Sequence, residues 1–464
     1  MRSSYRLHGF FGLMLLAFTI MNAHAAADAD QITRGQYLAT AGDCIACHSV
    51  PGGKPMAGGL ALPTPIGNII ATNITPSKTH GIGNYTLEQF SAALRKGVRA
   101  DGQRLYPAMP YTSYAQVSDE DVQAMYAYFM QGVTAVDAAP AESTALPFPF
   151  NIRWSMAAWN MLFLNSKPFV ADSSKSVEWN RGAYLSRGLA HCSTCHTPRN
   201  VLMAEDVSRE LAGGEVGTWH APNITADANS GVGGWSVAEL VEYMRDGRTA
   251  AKGQASGPMA EAVDHSFRHL TPADLQAIAV YVKSVPAIRD AADTKPVYAW
   301  GEANNQLNSI RGVDLPKDLS QMTGPQLYDA HCATCHQASA QGSFDGALPP
   351  LSHNTALGRS NSNNVVMVIL DGIQRHTATS DILMPDFRNT LSDQQIATLG
   401  TYLSAQYGNP AAKVTAAQVK ELRSGGTSNL VALVQGGMAV AVLVLIAALF
   451  FFMRRKRRNT QSTT

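Results

Sequence analysis

Apolar positions along this chain form two patterns: uncharged runs at its two ends, and short helical stripes that recur between them. Val122, Met125, Tyr126 and Phe129 recur at three- and four-residue steps, the period of one helix face. Ser118-Asp119-Glu120-Asp121 precedes them with the form of a capping box. Leu275, Ile278 and Val282 follow Thr271-Pro272, which puts proline at the first helical position. Ile396, Leu399 and Leu403 follow Ser392-Asp393 in the same way. Each stripe predicts a closing helix. Upstream of each lies a shorter, leading helix: Arg34-Gly35-Gln36-Tyr37-Leu38, Arg181-Gly182-Ala183-Tyr184-Leu185 and Gly324-Pro325-Gln326-Leu327-Tyr328. Asn73-Ile74-Thr75 with Gly81-Ile82-Gly83 matches Asn223-Ile224-Thr225 with Gly231-Val232-Gly233, and the third, shorter copy lacks this inner motif. Strand signals are few, so the pattern predicts an all-α chain of three tandem helical units, spaced at about 140 residues and not stacked as a solenoid.

The end runs speak of location. Arg2 and Arg6 precede the apolar run Gly9–Met21, and Ala23-His24-Ala25 follows as a small-x-small cleavage signal. That is the layout of a secretory signal peptide over residues 1–25. The run is too short to span a bilayer comfortably. Leu430–Met453 is uncharged throughout and long enough to span. Arg454, Arg455, Lys456, Arg457 and Arg458 follow at once, and positive charge marks the cytoplasmic side. Residues 454–464 then form a cytoplasmic tail, and the chain between about Ala26 and Asn429 lies outside the inner membrane, on its periplasmic face.

Composition changes this picture little. A chain of 464 residues suggests more than one domain. A net charge of +1 points to no nucleic acid or other polyanionic partner.

The cysteines change it decisively. All six fall in one pattern: Cys44-Ile45-Ala46-Cys47-His48, Cys192-Ser193-Thr194-Cys195-His196 and Cys332-Ala333-Thr334-Cys335-His336. Two thiols three positions apart can add to both vinyl groups of one haem, and the adjacent imidazole then lies under the iron. Disulfides are the usual fate of exported cysteines, but none lies outside a C-x-x-C pair and every pair is followed by His. Structural zinc wants two such pairs in one small unit, and these copies lie far apart. A thioredoxin-like site needs a βαβ pattern nearby. The reading is therefore three covalently bound haem c groups, one per unit, at 28–135, 177–290 and 319–408, with linkers at 136–176 and 291–318.

The sixth iron ligand separates carrier from catalyst. Methionine favours electron transfer and raises the potential. Met109 in Tyr106-Pro107-Ala108-Met109-Pro110, Met259 in Ser256-Gly257-Pro258-Met259 and Met384 in Leu383-Met384-Pro385 each sit beside proline, upstream of a closing helix. Met125, Met130 and Met244 fall on helical patterns and read as core, where most methionines belong. With His48, His196 and His336 opposite, the three chosen methionines would close every iron. The proximal imidazoles need a carbonyl partner. Pro65, Pro222 and Pro350 are candidates, and read equally as turn prolines. His191 and His331 read as surface or edge residues.

Three C-x-x-C-H units in this order, Tyr-Pro-Ala-Met-Pro-Tyr in the first, Asn-Ile-Thr in the first two and Met-Pro in the third resemble the tri-haem cytochrome c subunit of bacterial membrane-bound sugar, gluconate, sorbitol and alcohol dehydrogenases. Arg153-Trp154 through Trp159 to Leu162-Phe163 is similar to that family's linker between its first two domains. The resemblance covers essentially the whole mature chain. It implies three class I cytochrome c-like domains with one C-terminal transmembrane helix. It implies a partner catalytic subunit, using flavin, pyrroloquinoline quinone or molybdenum, together with a possible third small subunit, and delivery of electrons to membrane ubiquinone. The spanning helix fits the flavin-linked gluconate and sorbitol types better than the alcohol type. On this reading the chain is not itself catalytic on the organic substrate. A multi-haem peroxidase, which needs an open iron, and a cytochrome subunit of an oxidase complex are the alternatives.

Overall fold

Hydroxyl side chains open many of the longer helices, as the sequence pattern requires. Ser118, Ser176, Ser236, Thr271, Ser392 and Thr415 each accept a backbone N–H from the first turn that follows. The computed structural model describes residues 29–461 apart from 250–251, 311, 345–347, 377–380 and 427–428. The signal peptide expected at 1–25 and the last residues of the basic tail lie outside the described residues.

The chain opens with α1 over 29–41 and the single turn α2 at Cys44–Cys47. A hairpin of β1 (Ala61–Thr64) and β2 (Gly67–Ile70) follows, then α3 (Leu87–Lys96), α4 (Tyr111–Tyr114) and α5 (Asp119–Ala127). A connecting segment carries α6 (Ser155–Phe163). A similar order recurs with α7 (Val177–Tyr184), α8 (Cys192–His196), β3 (Gly214–Val216), β4 (Trp219–Ala221), α9 (Val237–Asp246), α10 (Pro258–His265) and α11 (Pro272–Ser284). The last stretch has α12 (Gly324–His331), α13 (Ala333–His336), α14 (Thr355–Gly358), α15 (Asn363–Asp371), β5 (Ile373–His376), β6 (Asp381–Met384), α16 (Asp393–Tyr407) and α17 (Ala416–Arg423). It ends in α18 (Leu430–Gln461), whose portion Leu430–Arg454 is long and apolar enough to cross a membrane.

The fold is mostly helical, but the all-α expectation needs correction. Each stretch carries an antiparallel hairpin, with register Ala61↔Ile70, Gly214↔Ala221 and Ile373↔Met384. Strands of three or four residues are too short to show period-two alternation, so the sequence pattern hides them.

The leading and closing helices cross at glycine. A Cβ on Gly35 would lie 1.9 Å from Ala124 O, and one on Gly182 1.9 Å from Ala277 O. The first two stretches share one apolar core: Leu38, Val122, Met125 and Phe129 belong to the same cluster as Leu185, Leu189, Leu275 and Ile278. Leu327, Tyr328, Leu370, Ile396 and Leu403 form a second cluster.

A reciprocal polar pairing joins the first two stretches. Asp274 takes two hydrogen bonds from Arg181 of its own stretch (2.8 and 2.7 Å) and one from the Tyr37 hydroxyl of the other (2.5 Å). Asp121 likewise takes Arg34 from its own stretch and Tyr184 from the other. Each tyrosine hydroxyl also accepts the N–H of the helix-capping residue, Thr271 or Ser118, at 3.2 Å. This corrects the capping box expected at Ser118. Its hydroxyl does accept from Asp121 N, but Asp121's carboxylate is held by Arg34 and Tyr184 and leaves the Ser118 N–H to the tyrosine.

The third stretch docks on the second. His220 N donates to Asn364 Oδ1 and Asn364 Nδ2 to His220 O. Arg375 on β5 is fully buried and donates to Ala255 O (3.0 Å) and Gln254 Oε1 (3.1 Å).

Candidate haem-binding sites

One helical turn carries each cysteine pair. Asp43 and His191 enter α2 and α8 with φ of 52° and 34°, a left-handed conformation that breaks the preceding helix and redirects the chain. At the third copy Cys332 precedes α13 with φ −123°, and Gln337 after it has a positive φ of 64°. None of the six cysteines is in a disulfide. Burial pushes Cys44, Cys47, Cys192 and Cys332 up to about 12 and Cys195 to about 11, so these thiols are protonated. Yet they keep some accessible surface. Cys44, Cys47 and Cys195 do so because they face a cavity of 2740 Å³ that also takes in His48, Met109, Tyr114 and His191.

Each motif histidine is held by one backbone carbonyl. His48 Nδ1 lies 2.6 Å from Thr72 O, His196 Nδ1 2.6 Å from Pro222 O, and His336 Nδ1 3.0 Å from Pro349 O. A carbonyl can only accept, so Nδ1 carries the proton and the Nε2 lone pair is left free to ligate. Burial lowers the basicity of His48 and His336 and takes His196 to about 4, so all three are neutral at pH 7. Of the carbonyls expected from sequence, Pro222 is the partner. Pro65 and Pro350 are not. Thr72 and the neighbouring Pro349 take those places, because the hairpin carries Pro65 away from the ring and the loop presents the earlier of two successive prolines.

The chosen methionines are all half-buried. Met109 ends the turn Tyr106–Met109 and lines the same cavity as Cys44, Cys47 and His48. Met259 is the second residue of α10 and packs against the core shared by the first two stretches. Met384 is the last residue of β6, opposite Ile373.

Charges around the sites were not legible beforehand. Asp43 is enclosed next to Cys44, with Oδ1 lacking a partner, and burial first, then Glu261, pushes its carboxyl up to about 8. Arg359, from the third stretch, reaches the wall of the cavity and donates to Ser230 O of the second at 2.9 Å. His191, expected at a surface or edge, instead stacks edge-on against Tyr114 of the other stretch, with ring centroids 5.7 Å apart, and burial takes it to about 4. The tyrosine–aspartate pairing had a signal in sequence: Arg-Gly-x-Tyr and Ser/Thr-x-x-Asp occur at matching places in both stretches. The cysteine pair, the imidazole with Nε2 free and the cavity that faces Cys44, Cys47, His48 and Met109 together fit covalent haem at the first motif.

The Cytochrome c family model matches residues 32–132 and 321–406. The chain is 46% identical over 431 residues to the fructose dehydrogenase cytochrome subunit of Gluconobacter japonicus, covering 89% of this chain and 88% of the relative. It is 40% identical over 429 residues to the gluconate 2-dehydrogenase cytochrome c subunit of Pantoea cypripedii, covering 89% and 93%. It is 37% identical over 440 residues to the cytochrome c subunit of the quinone alcohol dehydrogenase of Gluconobacter oxydans (strain 621H), covering 92% and 89%. Likeness of this degree along nearly the full length of both partners means that the chain belongs to the family of cytochrome c subunits of bacterial membrane-bound dehydrogenases.

Proposed function

We propose that this chain is a tri-haem electron relay. It takes electrons from a separate dehydrogenase subunit, passes them through three cytochrome c domains at 28–135, 177–290 and 319–408, and delivers them to ubiquinone at the periplasmic face of the inner membrane. The observation that carries this reading is the threefold recurrence of two free thiols and a carbonyl-held histidine on one helical turn. Haem, when bound, would supply one-electron chemistry. The protein's own residues supply position. Cys44, Cys47, Cys192, Cys195, Cys332 and Cys335 would hold the groups, and His48, His196, His336, Met109, Met259 and Met384 would ligate the irons. In the fold, α10 of the second domain packs against both α2 of the first and β5 of the third.

The sugar, sugar-acid and alcohol dehydrogenases named for its relatives set the class of catalytic partner. A third small subunit is compatible with this arrangement. The test is purification of the complex from membranes. A dehydrogenase subunit should co-purify, the mature cytochrome should weigh three haems more than its polypeptide, and adding substrate should reduce both the haems and a short-chain ubiquinone. A reduced protein that takes up carbon monoxide at neutral pH would instead have an open iron and favour the peroxidase reading.

A further inference from the structure

Helix α6, in the connection between the first two stretches, is turned inside out. Its one buried residue is polar: Asn160 accepts from the Tyr111 hydroxyl (2.8 Å) and donates to Lys96 O (3.1 Å). Its outward face is apolar. Trp154, Ala158, Met161 and Leu162 follow the spacing of a single helical face. Trp154 is 75% exposed, Met161 88% and Leu162 70%. Trp159 Nε1 donates to Leu202 O (2.9 Å) and so draws the neighbouring Val201, 92% exposed, into the same surface. A helix at a water-facing surface buries its apolar side and shows its polar one. The reverse order, continuous over several side chains, marks a surface with an apolar partner.

The partner follows from where α6 sits. Gln435 of α18 donates to Phe148 O at 2.8 Å, just ahead of α6. Trp154, Ala158, Leu162 and Val201 border the open side of the large cavity described above, whose wall also takes in Leu430, Val431 and Val434. Gln435 is the sixth residue of α18, which places it about 8 Å along the helix at 1.5 Å per residue. Helices that lie in a membrane surface seat about 5–10 Å into the headgroup–acyl boundary. Between Phe148 and Val170 there is no acidic residue, but there are Arg153 and Lys167, and two tryptophans, whose rings favour that boundary.

We propose that α6 is a second, interfacial membrane contact, with its Trp154–Leu162 face lying in the outer leaflet of the bilayer beside α18. This rests on the reading of α18 as the spanning anchor. The contact holds the first domain and the connecting segment against the lipid surface, where the quinone pool is.

The test uses the full-length holo-protein in phosphatidylcholine–phosphatidylglycerol vesicles, with a membrane-soluble diazirine photolabel read out by peptide mass spectrometry. Adducts are expected in the peptide containing Trp154–Phe163 as well as in Leu430–Met453. Adducts confined to α18 overturn the inference while leaving the anchor standing; this is the outcome if the apolar face serves the dehydrogenase subunit instead. Adducts in neither segment overturn the anchor itself, and the inference with it. Met161→Glu combined with Leu162→Glu changes two exposed side chains, and should cut labelling of the α6 peptide severalfold with α18 labelling unchanged. Unaltered α6 labelling in that variant also overturns the proposal.

Discussion

At the scale of single residues, the candidate haem ligands are distinct from the side chains that join one stretch to the next. Met384 stands at the end of a strand beside Pro385, an arrangement that aims one thioether without a helix behind it. Met384→Ala should leave the third haem covalently attached but change its reduced spectrum and lower its potential, because thioether ligation raises it. A redox titration in which all three components match the wild type would rule Met384 out as a ligand. Asp274 is one of the joining side chains. Burial alone would raise its pKa, but Arg181 and Tyr37 outweigh burial and keep it below the usual carboxylate value. Arg181 keeps 36% of its side chain in water, so Asp274→Asn should cost about 2 kcal/mol, less than the ~3–5 of a fully buried pair. The sign with pH follows from the depressed pKa. The contribution is complete above the unfolded value of about 3.9 and is lost as pH falls through the folded value. Thermal melts should therefore show the full gap between wild type and variant near neutrality and a closing gap below about pH 4. A constant gap across that range would mean the carboxylate's charge is not what matters.

At the scale of elements, the helices were the legible part. Their apolar period and their serine and threonine caps are local properties, and the structure has them where the sequence pattern put them, at α5, α11 and α16. The hairpins were hidden because short strands carry no period. The role of Gly35 and Gly182 was hidden too. A glycine two residues before an aromatic looks like a weak spot in a helix, and only the crossing shows that a backbone carbonyl occupies the space of its Cβ. Gly35→Ala or Gly182→Ala should destabilise at or above the upper end of the ~1–3 kcal/mol typical of overpacking, since the obstacle is backbone and cannot rotate away. Thermal unfolding reads this directly, and a melting point unchanged by either substitution would show that the helices can separate without loss.

At the scale of the whole molecule, the chain is a dehydrogenase cytochrome c subunit that ends in a helix long and apolar enough to cross a membrane. Removing residues 430–464 should turn an integral protein into one that alkaline carbonate strips from membranes; retention after that wash would place the anchor elsewhere. The sequence by itself determined the cofactor chemistry, the helices and the membrane-length segment, because each depends on a short run of residues: Cys-x-x-Cys-His, an apolar period with a cap, or two dozen uncharged positions. Tertiary structure decided that Thr72 and Pro349, and not Pro65 and Pro350, hold His48 and His336; for His48 the partner lies 24 residues away across a folded hairpin. It also decided that Tyr37 serves Asp274 and Tyr184 serves Asp121, that two stretches share one core, and that α6 turns its apolar face outward. These are properties of surfaces that meet only once the chain is folded, and no local pattern of residues encodes which surface meets which.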